Sequence, residues 1–165
     1  MKRRSLLLGG AAAASLGACS SSKFRSYDGP EVTYVVVEKS PRRMYLLHHN
    51  SVLRDYDIDL GFAPEGHKQF EGDGRTPEGN YLIDRRNPNS DFHLSIGVSY
   101  PNEQDVEFAR TMGKSPGGDI FIHGHSSPFK RRRHDWTWGC VAVPNRQMEE
   151  IYAMVRNGTP IQINA

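Results

Sequence analysis

Between Val32 and Leu60 the chain passes through three short stretches of β-branched and aromatic residues, each cut off by a turn signal. Val32-Thr33-Tyr34-Val35-Val36-Val37 is followed by the turn-like Ser40-Pro41-Arg42-Arg43. Met44-Tyr45-Leu46-Leu47 then leads to a polar tip at His48-His49-Asn50-Ser51, and Val52 to Leu60 continues as a third stretch. Runs of this length with such short connections pair as neighbouring antiparallel strands, so the chain starts as a β-meander. The pattern persists downstream. Asn80 to Asp84, His93 to Tyr100, Asp119 to His123, Val141 to Val143 and Pro160 to Ile163 all read as strands. Only two segments have helical spacing. Asn102 to Met112 is a short surface helix stopped by Gly113. Arg146 to Val155 carries Met148, Ile151, Tyr152 and Val155 on one face, with Asn157-Gly158 beyond it. The expected fold is mainly β, a sandwich or mixed sheet with one or two short helices. Gly61 to Gly79, rich in Gly and Pro, is too long for a simple turn and is read as functional or ordered by its own contacts.

The first eighteen residues are set apart from this domain. Met1-Lys2-Arg3-Arg4 opens a basic start, and an apolar run follows from Leu6 to Ala18. That run is shorter than the roughly 20 residues a bilayer-spanning helix needs, and the combination is that of a secretory signal. The leader also distorts the charge. The whole chain holds 21 Lys+Arg against 19 Asp+Glu, and without Lys2, Arg3 and Arg4 the remainder is 18 against 19. The basic pI of about 8.6 therefore belongs to targeting and implies no nucleic-acid partner.

The chain has two cysteines, Cys19 and Cys140. Leu16-Gly17-Ala18-Cys19 resembles the lipobox of bacterial lipoproteins, in which the cysteine becomes the lipid-bearing N-terminus. Arg3-Arg4-Ser5-Leu6-Leu7 partly resembles a twin-arginine signal, with Lys2 where that pattern prefers Ser or Thr. The resemblance implies a signal peptide over 1–18 and a lipidated N-terminus and serine-rich tether over 19–30, which leaves one domain over 31–165. It implies an exported protein anchored to a membrane by its lipid, facing the periplasm or cell wall. With Cys19 acylated, Cys140 has no internal partner, and a free thiol in an oxidising compartment calls for a chemical reason.

Cys140 lies in Thr137-Trp138-Gly139-Cys140-Val141, downstream of Ile120-Phe121-Ile122-His123-Gly124. Two neighbouring strands, one ending at His123 and one beginning at Cys140, would set a nucleophile beside its base, with His123 raising the thiolate fraction. Gly139 permits a tight turn and close approach of a substrate carbonyl to backbone amides. Two other readings stay open on spacing alone. Cys140 and His123 are a core thiol and a core histidine, or His123 and His125 bind zinc with His134 or Asp119.

Five ordered blocks narrow the choice: Gly72 to Tyr81, Asn87 to Ser90, Ser99 to Asn102, Gly117 to Gly124 and Thr137 to Val143. Together they resemble the L,D-transpeptidase catalytic domain, the YkuD family, over about Val32 to Ile163. The resemblance implies a β-rich enzyme acting on peptidoglycan stem peptides, without a metal or other cofactor. In that scheme Cys140 is the nucleophile and His123 the proton donor and acceptor. Gly124 orients the histidine through its backbone, and the amides at Gly139 and Cys140 form the oxyanion hole. Many members place a second histidine two positions before the nucleophile, where this chain has Trp138. A Thr-x-Gly-Cys branch accepts other residues there. That branch includes hydrolases that release lipoproteins linked to peptidoglycan, so the acceptor is an amine or water and a peptidoglycan-linked lipoprotein is a second candidate partner. Trp138 then lines the acyl pocket. Arg75, His93, Ser95 and Arg133, the last in the basic run Lys130 to His134, are candidate substrate contacts. Trp136 is read as core, and His48 and His49 as an exposed turn.

Overall fold

The structure, a computed structural model, describes residues 22–126 and 134–165. The expected signal peptide, Cys19 and Arg133 lie outside the described residues. Ten elements follow in order: β1 (Tyr34–Glu38), β2 (Arg43–His48), β3 (Ser51–Asp57), β4 (Gly79–Asn87), β5 (Ser95–Val98), α1 (Glu103–Thr111), β6 (Phe121–His123), β7 (Val141–Ala142), α2 (Asn145–Met154) and β8 (Pro160–Asn164). The strands form one mixed sheet in the order β3-β2-β1-β8-β4-β5-β6-β7. The architecture is mainly β with two helices, as the residue pattern implies.

The meander is the antiparallel β1-β2-β3 unit, with Val35 opposite Leu46 and Met44 opposite Tyr56. In β1 the residues Val35 and Val37 are buried while their neighbours are partly exposed, the period-two signature of a strand with one face on a core. The third expected strand is shorter than its apolar run, because β3 ends at Asp57. Asp59 and Gly61 instead make isolated bridges to Ala142 and Thr137. Asp59 and Ala142 exchange both backbone hydrogen bonds, at 2.9 and 2.8 Å. The chain leaving the β3 edge is thereby tied to β7 at the opposite edge, and the sheet rolls on itself.

β4 joins the two halves. Its first residues pair with β8 and its last with β5, across a register shift between Ile83 and Arg85, and such a bulge bends a strand. The core inside the roll includes Val37, Leu46, Ile83, Ile96, Ile122, Val141, Ile161 and Ile163. Met148 and Ile151 of α2 join it, and α2 packs on β5 and β6. α1 starts with a capping box: Asn102 Oδ1 accepts from the Gln104 and Asp105 amides, and Asp105 Oδ2 accepts from the Asn102 amide. Among the described residues no helix is long and apolar enough to cross a membrane.

The long segment between Gly61 and Gly79 is ordered from within. Lys68, nearly inaccessible, donates to Asp73 Oδ1 at 2.9 Å and to Phe70 O. The Asp73 carboxylate also accepts from the Gln69, Phe70 and Arg75 amides. Burial opposes ionisation of Asp73, but these hydrogen bonds outweigh it and hold the carboxyl below its usual range. A second buried lysine, Lys39, reaches from the end of β1 to Gly66 O, Thr76 O and Glu78 Oε1. Burial lowers its pKa, with Glu78 acting in the opposite sense.

Candidate active site

Parallel pairing of β6 and β7 sets Ile122 beside Val141 and His123 beside Ala142. Ile122 and Val141 point into the core. Side chains alternate across a strand, so Phe121, His123 and Cys140 share the other face. There they line a cleft of about 340 Å³ together with Asn87, Ser90, Asp91, Phe92, Ser95, Asp119, Trp136, Thr137 and Trp138. Ser95 pairs with His123 across β5 and β6, which brings its side chain to the same face. Cys140, His123, Ser95 and Trp138 are thus gathered in one place. Arg75 and His93 are not.

His123 is 4% exposed. Its Nδ1 lies 2.6 Å from Gly124 O, and a carbonyl only accepts. Nδ1 therefore carries the proton and Nε2 is the basic nitrogen. The ring is held between Phe92 (centroids 4.6 Å apart) and Trp136 (5.6 Å, edge-on), with Trp136 Nε1 donating to Asp59 Oδ2 at 3.2 Å. Gly124 fits because a Cβ there would lie 2.6 Å from Asn145 Oδ1 and 2.9 Å from Phe92 O. Asn145, opening α2, accepts from the His125 amide at 2.6 Å. Trp136 is a wall of the histidine's enclosure as well as a packing residue.

The Cys140 sulfur accepts from the Phe121 amide at 3.4 Å, and its S–H donates to Asp119 O at 3.5 Å. Burial pushes the thiol above its ordinary pKa, the Phe121 amide opposes this, and the Asp119 charge adds to it. This desolvation of the anion works against the rise in thiolate fraction expected from His123.

A buried hydroxyl shapes the turn before the nucleophile. Thr137 Oγ1 accepts from the Gly139 amide at 3.2 Å and donates to Cys140 O at 2.7 Å. The Gly139 amide, one of the two expected oxyanion donors, is thereby turned to Thr137 Oγ1, which leaves the Cys140 amide as the other. Gly139 has φ 126°, and a Cβ on it would lie 2.6 Å from Arg75 O. That backbone region belongs to glycine.

The remaining candidates have other places. The Arg75 carbonyl fills the space where a side chain on Gly139 would stand, its amide donates to Asp73, and its guanidinium lies over Gly66. His93 sits at φ 75° and its Nε2 is 3.0 Å from Glu149 Oε1 on α2. Trp138 is 71% exposed at the cleft mouth, edge-to-face with Phe62 at 4.9 Å. His134 Nδ1 lies 3.0 Å from Asp59 Oδ1. Among the described residues no group of three His, Cys, Asp or Glu side chains is placed to hold a metal ion. Phe92 and Asn145 are neighbours of the site that the sequence reading missed. Phe92 lies between recognisable strands, and Asn145 reads only as a helix start.

Comparison with known proteins places this geometry. The model of the L,D-transpeptidase catalytic domain (YkuD) matches residues 32–163. YafK of Escherichia coli (strain K12), provisionally named an L,D-transpeptidase, is 32% identical over 128 residues, covering 74% of this chain and 46% of its own length. Among solved structures, the helical cell shape determining protein Pgp2 from Campylobacter jejuni superposes with a TM-score of 0.63 at 27% identity. The match covers 83% of this chain and 49% of that one. L,D-transpeptidase 1 of Mycobacterium tuberculosis shares the fold, with a TM-score of 0.53 at 14% identity, covering 82% and 62% of the two chains. The chain spans about half the length of YafK and Pgp2. With the family model covering β1 through β8 and both cleft residues, the chain belongs to the L,D-transpeptidase catalytic domain (YkuD) family.

Proposed function

We propose that this protein is a cysteine-dependent L,D-transpeptidase acting on peptidoglycan stem peptides through an acyl-cysteine intermediate. The observation that carries the reading is the pairing in one cleft of Cys140 with a histidine whose Nδ1 is committed to Gly124 O. A thiol whose ionisation is opposed by burial needs a base during attack. His123 Nε2 takes the Cys140 proton as the sulfur adds to the carbonyl at the L-centre of the diamino acid. The Cys140 amide stabilises the oxyanion, while Gly139 gives the turn its conformation. Collapse breaks the C–N bond, and the imidazolium returns its proton to the departing D-residue amine. An acceptor amine then attacks the thioester, His123 removes its proton, and the thiol is restored. With water as acceptor the same steps give hydrolysis, including release of a lipoprotein joined to peptidoglycan.

In this reading Ser95 and Trp138 contact the acyl donor, the first beside His123 and the second at the mouth. The polypeptide is exported and held at a membrane by a lipid on Cys19, as Leu16-Gly17-Ala18-Cys19 implies. The test is mass spectrometry of disaccharide-tetrapeptide muropeptides incubated with the purified protein and with Cys140→Ala. Loss of D-alanine together with a cross-linked dimer, both absent in the variant, supports transfer. Loss of D-alanine alone supports hydrolysis. Turnover surviving in Cys140→Ala refutes the nucleophile. Intact-mass measurement of the membrane fraction, with Cys19→Ser as comparison, tests the anchor.

A further inference from the structure

The stretch just beyond Cys19 is laid against the domain. Lys23 Nζ donates to Pro88 O at 2.6 Å and to His93 O at 3.1 Å. These two carbonyls mark the ends of the loop between β4 and β5, and one ammonium joins them. Between the two ends stand Ser90, Asp91 and Phe92, all on the cleft wall, with the Phe92 ring tilted against His123. Two residues further on, Arg25 Nε and Nη2 both donate to Glu149 Oε2, while Glu149 Oε1 holds His93 Nε2. His93 is thus gripped twice, at its carbonyl by Lys23 and at its imidazole through the carboxylate that Arg25 fixes. Both grips act on a residue at φ 75°, a backbone state uncommon outside glycine. Within itself the loop bonds Asn89 N to Asn87 Oδ1, Phe92 N to Ser90 Oγ and Leu94 N to Phe92 O, and at its far end Leu94 O accepts from the Gly124 amide at 3.2 Å, so the stretch from Pro88 to His93 is the part that the strap closes.

We propose that Lys23 and Arg25 are positioning residues, and that the N-terminal strap sets Phe92 against the His123 ring and so fixes the direction of the base. The strap reaches no reacting atom. It closes the loop whose last aromatic residue forms one wall of the histidine's enclosure. The proposal rests on the reading of His123 as the proton carrier, and its test separates the two.

The test uses the purified full chain in detergent. Lys23→Met keeps the stem and removes the donors, Lys23→Arg keeps donors for both carbonyls, and Arg25→Gln weakens the second grip. Arg54→Gln serves as a control, because it breaks an exposed ion pair to Glu150 on the same helix without touching the loop. The first readout is the nitrogen and proton resonances of the His123 imidazole at fixed pH. The second is kcat and KM on muropeptides. Lys23→Met is expected to shift the imidazole resonances and lower kcat by about tenfold, the order expected when a catalytic group is displaced by a fraction of an ångström. Lys23→Arg is expected to restore both, and Arg54→Gln to change neither. Unmoved resonances in Lys23→Met and Arg25→Gln overturn the proposal, as does an equal change in Arg54→Gln. If the wild-type chain turns over no muropeptide, the functional reading fails while the imidazole resonances still decide the strap.

Discussion

Gly139→Ala tests whether the nucleophile's position depends on a backbone state open only to glycine. Two costs are separable. A φ of 126° imposes strain of about 1–3 kcal/mol on a residue with a Cβ. The added carbon would also lie 2.6 Å from Arg75 O and 3.2 Å from Ile120 Cδ1, and the first of these is backbone that cannot swing aside. Gly72 supplies the reference, because it has φ 83° with nothing within 4 Å of a Cβ. Gly72→Ala should therefore show strain alone. For Gly139→Ala we expect a total of about 2–4 kcal/mol, equivalent to a Tm lower by about 4–16 °C for a domain of this size. The clash must be relieved by moving the turn that carries Cys140, and a displacement approaching 1 Å costs about a hundredfold in rate. Thermal unfolding followed by circular dichroism, with turnover of muropeptides, reads both effects. Gly139→Ala as stable as Gly72→Ala, with wild-type turnover, would refute the reasoning.

Four further outcomes follow from the same structure. Asp73→Ala strands the Lys68 ammonium and three amides, and breaking a nearly inaccessible ion pair from one side costs about 3–5 kcal/mol; urea unfolding should show it, and a loss under 1 kcal/mol would contradict the network. Thr137→Val removes both hydrogen bonds of the turn and should lower kcat, whereas Thr137→Ser keeps the hydroxyl and retains activity; equal activity in the two variants would dissociate the turn from catalysis. Cys140 should be alkylated by iodoacetamide at neutral pH more slowly than a cysteine in an unfolded peptide, since burial raises its pKa. The sign also governs stability: a thiol whose folded pKa is raised contributes stability that is complete below the unfolded value of about 8.5 and is lost as pH rises through the folded value. The difference in unfolding free energy between wild type and Cys140→Ala should therefore shrink above that point, and a difference constant with pH would be the contrary result.

The parts of this molecule that were legible in its sequence are those governed by short-range periodicity. Val35 and Val37 alternate with exposed neighbours, and Met148 and Ile151 recur at helical spacing, so β1 and α2 announce themselves. Cys140 and His123 were legible because one opens an apolar run and the other ends one, and parallel pairing of β6 with β7 then brings them to one face. What stayed hidden depends on distant partners. Lys39 and Lys68 look like surface residues until three acceptors surround one and a buried carboxylate meets the other. Arg75 and His93 have the right chemistry for a substrate contact, yet the guanidinium of the first lies over Gly66 and the imidazole of the second is paired with Glu149. Phe92 has no local signature, because its role is defined by a ring brought in from β6.

The grip of Lys23 on the domain also sets a leash length. Only Ser20, Ser21 and Ser22 separate Cys19 from Lys23, and four residue steps span at most about 14 Å even when fully drawn out. Were Cys19 lipidated as proposed, the domain would be a fixture on the bilayer, with a radius of action set by those three serines. Lengthening that spacer, without altering the cleft, is then the direct way to change which layer of the envelope the enzyme can reach.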